Sequence, residues 1–364
     1  MRTYNDTYPA GCRAVLDCQQ QVITRWQAVA AGISPAVIDK RLRNGSWQPI
    51  LRGVYATYRG EPRRGSLLWA AVLRAGPSAV LSHQTAAELD GLAGEPDPVI
   101  HVTVPRDKHI AKMPGVVIHR CERPQAAYYS PALPPRTVVE ETIFDLTQAA
   151  VSFDEAFGWL SRSCTRGFTT PQRLRTAMAP RKKMRWRGEI AAALRDIDAG
   201  VHSLVEYRHL QHIERAHGLP PSRRLAGSVT GLRSHYRAAV NEEFGLCQEL
   251  GVGEPADVGP RPGAAGRSGA SGVPGARSAC LAFPRPRELA GQAAAPHDLQ
   301  ARRRDAYRGG AIAEGGLITL RYSSYDITER PCEVAAEVAA VLKRRGWSGT
   351  PRPCGAWCPI SLAS

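Results

Sequence analysis

His235-Tyr236-Arg237-Ala238-Ala239-Val240 and Phe244-Gly245-Leu246-Cys247-Gln248-Glu249-Leu250 are two β-prone runs flanking Asn241-Glu242-Glu243. Short apolar runs bounded by turn residues read as strands. A helix carrying Glu206, within Ser203-Leu204-Val205-Glu206-Tyr207, precedes them, followed by Ile213-Glu214-Arg215-Ala216-His217-Gly218-Leu219-Pro220. A third strand at Leu317 to Tyr322 and a helix from Pro331 to Arg345 complete an α/β unit that starts near Gly200. Two-strand carboxylate sites hold a divalent cation, which makes a water nucleophilic at neutral pH. Magnesium needs hard oxygen ligands, usually one or two carboxylates plus substrate phosphate. On these two runs the acid is Glu249 alone, which makes it a doubtful metal ligand. Glu242-Glu243 beside Phe244-Gly245 reads as a solvated turn.

Downstream of Leu250 the composition changes abruptly. Residues 251–310 hold eleven Gly, seven Pro, thirteen Ala and nine Arg, forty of the sixty. Neither a period of 2 nor of 3.6 survives, and such sequence buries too little apolar surface to offset its ordering entropy. A structureless loop of that length is unusual inside a compact domain. Either a disordered insertion or translation from a shifted reading frame accounts for it.

Moving toward the N-terminus, Ser161 to Ile190 carries nine basic residues and one acid, Glu189. Arg181, Lys182, Lys183, Arg185 and Arg187 are its densest part and are candidate DNA contacts. The chain as a whole has 48 Lys+Arg against 33 Asp+Glu, a net charge of +15. That balance favours an anionic partner, nucleic acid ahead of an acidic membrane surface. At 364 residues the chain is long enough for two or three domains.

Residues 11–60 read as a small winged helix-turn-helix. Thr24-Arg25-Trp26-Gln27 is a capping-box pattern opening a helix with Trp26, Val29 and Ala30, and Gly32 supplies its left-handed exit. Ser34-Pro35 then starts a second helix, with serine as cap and proline at the first helical position. Val37, Ile38 and Leu42 form its expected buried face, while Lys40, Arg41, Arg43 and Asn44 face outward. Runs at Trp47 to Leu51 and Val54 to Tyr58 around Arg52-Gly53 suit a wing hairpin. In this arrangement the second helix enters the major groove, so Lys40, Arg41, Arg43, Asn44 and Arg52 are the candidate contacts to double-stranded DNA.

The middle, residues 61–160, is mixed α/β. Ser66 to Ala75, Ser82 to Leu89 and the segment after Pro134-Pro135-Arg136-Thr137 read as helices; Ile100 to Val104 and Val116 to His119 read as strands. His83, His101 and His119 lie in three separate elements without metal-site spacing and read as satisfied or surface histidines. The nine cysteines are scattered and odd in number, which argues against a secreted disulfide framework. Cys354-x3-Cys358 with Cys332 or a histidine is a loose zinc pattern that no second pair completes, so reduced, unmetallated thiols are expected. Neither a signal peptide nor a run of about 18 apolar residues is present, so a cytoplasmic protein is expected.

The elements are α/β in the parts and α+β overall. The expected organisation is a winged helix-turn-helix over 1–60, a mixed domain over 61–160, a basic helical connector over 161–199, the α/β unit over 200–348 and a tail over 349–364.

These residues resemble two known families. The first half resembles AbiEi-type antitoxin proteins of type IV toxin–antitoxin systems, through Gln27-Ala28, Arg41 to Trp47 and Arg52-Gly53-Val54-Tyr55. Further matches are Leu81-Ser82-His83-Gln84-Thr85-Ala86-Ala87 and Pro134-Pro135-Arg136-Thr137 with Val139 to Thr142. The second half resembles the endonuclease-like domain related to very-short-patch repair nucleases. Its matches are Leu204 to Glu206, Ile213 to Pro220, His235-Tyr236-Arg237, Glu242 to Leu246, Gly315 to Tyr322, Asp326-Ile327-Thr328, Arg330-Pro331-Cys332, Arg345-Gly346-Trp347 and Cys354. The resemblance implies a three-layer α/β restriction-endonuclease fold and a magnesium-dependent DNA cleavage site. It also implies an acid on the helix of Glu206, an aspartate after the first strand's tyrosine-arginine pair, and Glu-x-Asp-Gly on the second. Here Glu206 and Glu249 are kept as vestigial catalytic residues, whereas Ala238 and Gly251-Val252 replace the aspartates. Asp298 and Arg304-Asp305-Ala306 are a possible remnant of a later motif. The expectation is a DNA-binding, antitoxin-like regulator with an inactive nuclease-like domain. The alternatives are a working magnesium endonuclease and a protein that binds a cognate toxin.

Overall fold

The computed structural model describes residues 8–122, 132–226, 237–251 and 318–362. They form an α+β protein that divides into two compact units, Met1–Tyr207 and Arg208–Ser364.

The first unit opens with α1 (Ala10–Cys18), β1 (Val22–Thr24), α2 (Arg25–Ala30) and α3 (Pro35–Arg43), then β2 (Gln48–Leu51) and β3 (Val54–Ala56). The strands make an antiparallel sheet in the order β1-β3-β2, so the wing hairpin is closed by the strand that precedes α2. The capping box is formed: Thr24 Oγ1 accepts from Gln27 N and Gln27 Oε1 accepts from Thr24 N, both at 3.0 Å. Gly32 and Gly53 take φ values of +87° and +77°, which suit glycine at the inter-helix turn and the wing tip. Cys12, Leu16, Ile23, Ala28, Ile33, Ile38, Trp47 and Tyr55 make one core. One expectation fails here. Val37 is 39% exposed, because the turn of the helix that faces the core is set by Ile38 with half-buried Leu42.

Next come α4 (Arg64–Ala75), β4 (Val80–Leu81), α5 (His83–Leu89), β5 (Ile100–Pro105) and β6 (Val116–Cys121). Their sheet runs β4-β5-β6, antiparallel then parallel. Leu68, Val72, Leu81, Val102 and Val104 fill the layer between α4 and this sheet. Four helices follow, α6 (Val139–Ala149), α7 (Phe153–Thr165), α8 (Pro171–Met178) and α9 (Arg187–Asp198). They pack on one another, α6 against both α7 and α8. Helix α10 (Leu204–Arg208) lies at the boundary.

The second unit begins with a π-helical segment, His209–Arg215, followed by β7 (Arg223–Ala226), β8 (Arg237–Asn241), β9 (Leu246–Leu250) and β10 (Ile318–Tyr322). The sheet order is β10-β9-β8-β7; β10 runs parallel to β9 and the remaining pairs are antiparallel. Every residue of β9 is buried, as a central strand covered on both faces requires. Helices α11 (Ser324–Glu329) and α12 (Pro331–Arg344) close the unit, α12 packing on the π-helical segment through its apolar face. Strand β7 has no counterpart in the sequence reading. His235, Tyr236, Leu317, Asp298, Arg304 and the anomalous stretch after Gly251 lie outside the described residues. No helix among the described residues is long and apolar enough to cross a membrane.

Candidate functional site

In the winged helix, the polar residues of α3 do not share one fate. Lys40 and Arg43 are exposed on the last turn of α3, and Arg52 is exposed at the wing tip. Arg41 lies instead over two rings, 4.3 Å from the centre of Tyr8 and 5.3 Å from that of Trp47. It is thereby part of the packing that ties the chain's start to α3. Asn44 caps the helix end, where its Oδ1 accepts from Ser46 N at 3.0 Å and from Ser46 Oγ at 2.7 Å. The neighbouring acid does not cancel Lys40. Asp39 receives Arg25 Nη1 at 2.8 Å, and that hydrogen bond holds its carboxyl below the ordinary value. Arg59, absent from the sequence-derived set, reaches the carbonyls of Asn44 and Gly45 and adds an exposed cation beside the same helix end.

The basic stretch is mostly structural. Arg181 is buried against Glu141, Nη2 to Oε2 at 2.6 Å, and its guanidinium covers the Phe144 ring at 4.6 Å. Arg187 donates to the carbonyls of Met178, Ala179 and Arg181. Arg185 donates to Ala150 O at 3.0 Å and stacks on Trp186 at 3.6 Å. Lys182 and Lys183 remain exposed. Unpaired backbone carbonyls at a helix end draw Arg187, and an acid and a ring hold Arg181, so both take part in packing, unlike the exposed Lys182 and Lys183. A count of charges along the chain does not distinguish the two uses.

Glu206 is buried, and its Oε2 accepts backbone N–H groups of His202 at 2.6 Å and Ser203 at 3.0 Å. Ser203 Oγ accepts from Glu206 N at 3.2 Å, completing a capping box that the pattern Ser203-x-x-Glu206 already carries.

Glu249 sits on β9 directly opposite Ala238 of β8 and beside Arg321 of β10. Its Oε2 accepts from Arg321 Nε at 2.8 Å, with the carboxylate side chain 10% exposed. It belongs to no group of three metal-ligating side chains among the described residues. Glu242 and Glu243 lie in the turn Glu242–Phe244 at the far end of the hairpin, and Glu242 pairs with Arg223. Four residues along a strand span about 13 Å, so neither glutamate reaches Glu249. These residues do not fit a magnesium ion, and no hydrolytic step follows from them.

Two groupings are brought together, one that the sequence reading kept apart and one that it read only as a loose pattern. The parallel pairing of β5 with β6 and the start of α5 place His83, His101 and His119 in one stack. The His83 and His119 ring centres are 3.7 Å apart, and His101 Nδ1 lies 2.9 Å from His119 Nε2. His83 adopts φ +50°, an unfavourable backbone for a residue with a Cβ. The His83 and His119 rings border a cavity of about 200 Å³ with Thr103, Arg120, Cys121, Thr137 and Asp145. Burial first, and then the neighbouring imidazoles, push His83 down to about 3 and His119 down to about 4. Burial lowers His101 as well, so all three rings favour the neutral form. The second grouping is His217 with Cys332, Cys354 and Cys358. For the histidines linear spacing carries no signal, because strand pairing creates the proximity; for the thiols the Cys354-x3-Cys358 spacing was readable, and chain return brings Cys332 and His217 to it.

No protein-family model and no curated protein matches the chain. Among solved structures it is similar to the RV2827C protein from Mycobacterium tuberculosis, at 16% identity over 56% of this chain and 80% of that one, with a TM-score of 0.35. A score that low assigns neither fold nor function.

Proposed function

We propose that the chain is a cytoplasmic, DNA-binding, antitoxin-like regulator whose second unit keeps a nuclease-like outline without a cutting centre. The observation that carries this reading is the set of exposed cations at the end of α3 and at the wing tip. Lys40 and Arg43 stand on the last turn of α3 and Arg52 at the wing tip, while Arg25 occupies the only acid of α3. A helix-turn-helix offers that edge to duplex DNA, and lysine or arginine contacts with phosphates supply affinity that salt removes. The loss of cleavage rests on Glu249, which faces an alanine and is engaged by Arg321.

Filter binding to duplex DNA across a salt series tests the reading. Log affinity is expected to fall steeply and linearly with log salt. Absence of binding at about 50 mM salt overturns it.

One observation favours a toxin partner as a second reading. Trp26 is 77% exposed and Val29 44%, one turn apart on α2, and neither apolar side chain suits a phosphate. Retention of one stoichiometric protein after nuclease treatment, lost in Trp26→Ala, would support it.

A further inference from the structure

His217, Cys332, Cys354 and Cys358 come from three segments of the second unit. His217 follows the π-helical segment, Cys332 is the second residue of α12, and the other two lie in the C-terminal tail. Their ligand atoms all lie within 4.8 Å of one another. In a tetrahedral zinc site, Zn–S bonds of about 2.3 Å put sulfurs about 3.8 Å apart. Cys332 Sγ and Cys354 Sγ stand at 3.3 Å, near that edge, and none of the described cysteines is in a disulfide.

The histidine is prepared as a ligand. It is wholly buried, and its Nδ1 faces the Ile213 carbonyl at 3.1 Å. A ring N–H donated to a backbone carbonyl fixes the tautomer and leaves the other nitrogen as the electron-pair donor. That other atom, Nε2, is buried with no hydrogen-bond partner. A buried acceptor left in that state is costly unless something binds it.

The tail needs such an anchor. From Trp347 to Cys358 it has no helix or strand, and Trp357 is 96% exposed. Yet Arg352 N donates to His217 O at 2.9 Å, and Arg352 Nη2 to Arg215 O at 3.0 Å. Cys358 N donates to Gly355 O at 3.2 Å, closing a four-residue turn directly after Cys354. Little apolar burial compensates the ordering of these residues.

We propose that His217, Cys332, Cys354 and Cys358 bind a zinc ion that clamps the C-terminal tail to the His217 segment and the start of α12. Three thiolates and one imidazole are a soft set that selects zinc over magnesium. Four protein ligands leave no open position, which makes the site structural. Each thiol releases its proton to solvent as it binds, with no change of oxidation state, so occupancy weakens as pH falls. The Cys354-x3-Cys358 spacing lies within the range of zinc-binding pairs.

The test uses the full chain. Produced with zinc in the medium and analysed by inductively coupled plasma mass spectrometry, it is expected to carry one zinc per molecule. The double variant Cys354→Ser/Cys358→Ser should lose that zinc, while Cys18→Ser/Cys164→Ser keeps it. Chain produced with cobalt in place of zinc should show thiolate-to-cobalt charge transfer and the intense visible bands of a tetrahedral site. The cobalt spectrum decides the matter even where the double variant does not fold. Chain without metal, cobalt without thiolate bands, or zinc that persists in the double variant and is lost in His83→Ala/His119→Ala would each overturn the proposal.

Discussion

Ala238 and Glu249 face each other across β8 and β9, and the carboxylate turns from its methyl partner to Arg321 Nε at 2.8 Å. A second acid at position 238 would share a metal with Glu249; a methyl group leaves an ordinary ion pair. Supercoiled plasmid is therefore expected to remain intact with magnesium or manganese. Glu249→Ala should change only stability, by about 1 kcal/mol in urea unfolding, since it removes one charged hydrogen bond from a partly exposed arginine. Nicking by the native chain that vanishes in Glu249→Ala would reverse this conclusion.

Binding and packing cations separate by experiment. Lys40→Ala, Arg43→Ala and Arg52→Ala should each weaken duplex binding across sequences and shrink the salt slope by about 1. Unchanged slopes in all three would place the DNA surface elsewhere.

Arg181→Ala is expected to act through stability instead. It leaves Glu141 buried without its cation, a loss of about 3–5 kcal/mol. The DNA salt slope of the folded fraction should stay as in the native chain. A variant of native thermal stability would contradict the buried pairing.

The histidine stack makes stability depend on pH. His83, His101 and His119 all have lowered values in the folded chain, whereas the unfolded chain binds protons from about 6.5 downward. Their contribution is complete above 6.5 and lost as pH falls through about 4 and then 3. Asp145 and Asp97, each 3.8 Å from a ring nitrogen, oppose the trend without reversing it. Urea midpoints should drop over that window, less steeply in His119→Phe. Equal slopes in the two chains would remove the stack as the cause.

Thr24→Ala should cost about 1 kcal/mol, because the hydroxyl accepts one of the exposed N–H groups of α2. Gln27→Ala should cost less. An unaffected melting temperature in Thr24→Ala would mean that α2 is held by its packing alone.

Much of the first sixty residues was legible because their signals are local. The capping box at Thr24, the Ser34-Pro35 start and the Arg52-Gly53 turn each act within a few residues. The basic stretch misled, since Arg181 and Lys182 look alike in sequence and differ only in having Glu141 and Phe144 beside one of them. Glu206 carried a readable cap pattern, Ser203-x-x-Glu206, alongside its catalytic reading. The histidine stack was out of reach, because its members meet only through strand register; Cys354-x3-Cys358 with Cys332 was readable as a loose pattern, but not that the tail doubles back onto His217.

The shared direction of β9 and β10 obliges the chain to travel back along the sheet before its last strand begins. About a dozen residues suffice for such a return, and 67 separate Leu250 from Ile318. Closing the longer link adds only about 1.5 kcal/mol, since the cost grows with the logarithm of length. The last described strand's register is thus set by its pairing with β9, and the length of the link weighs little against it.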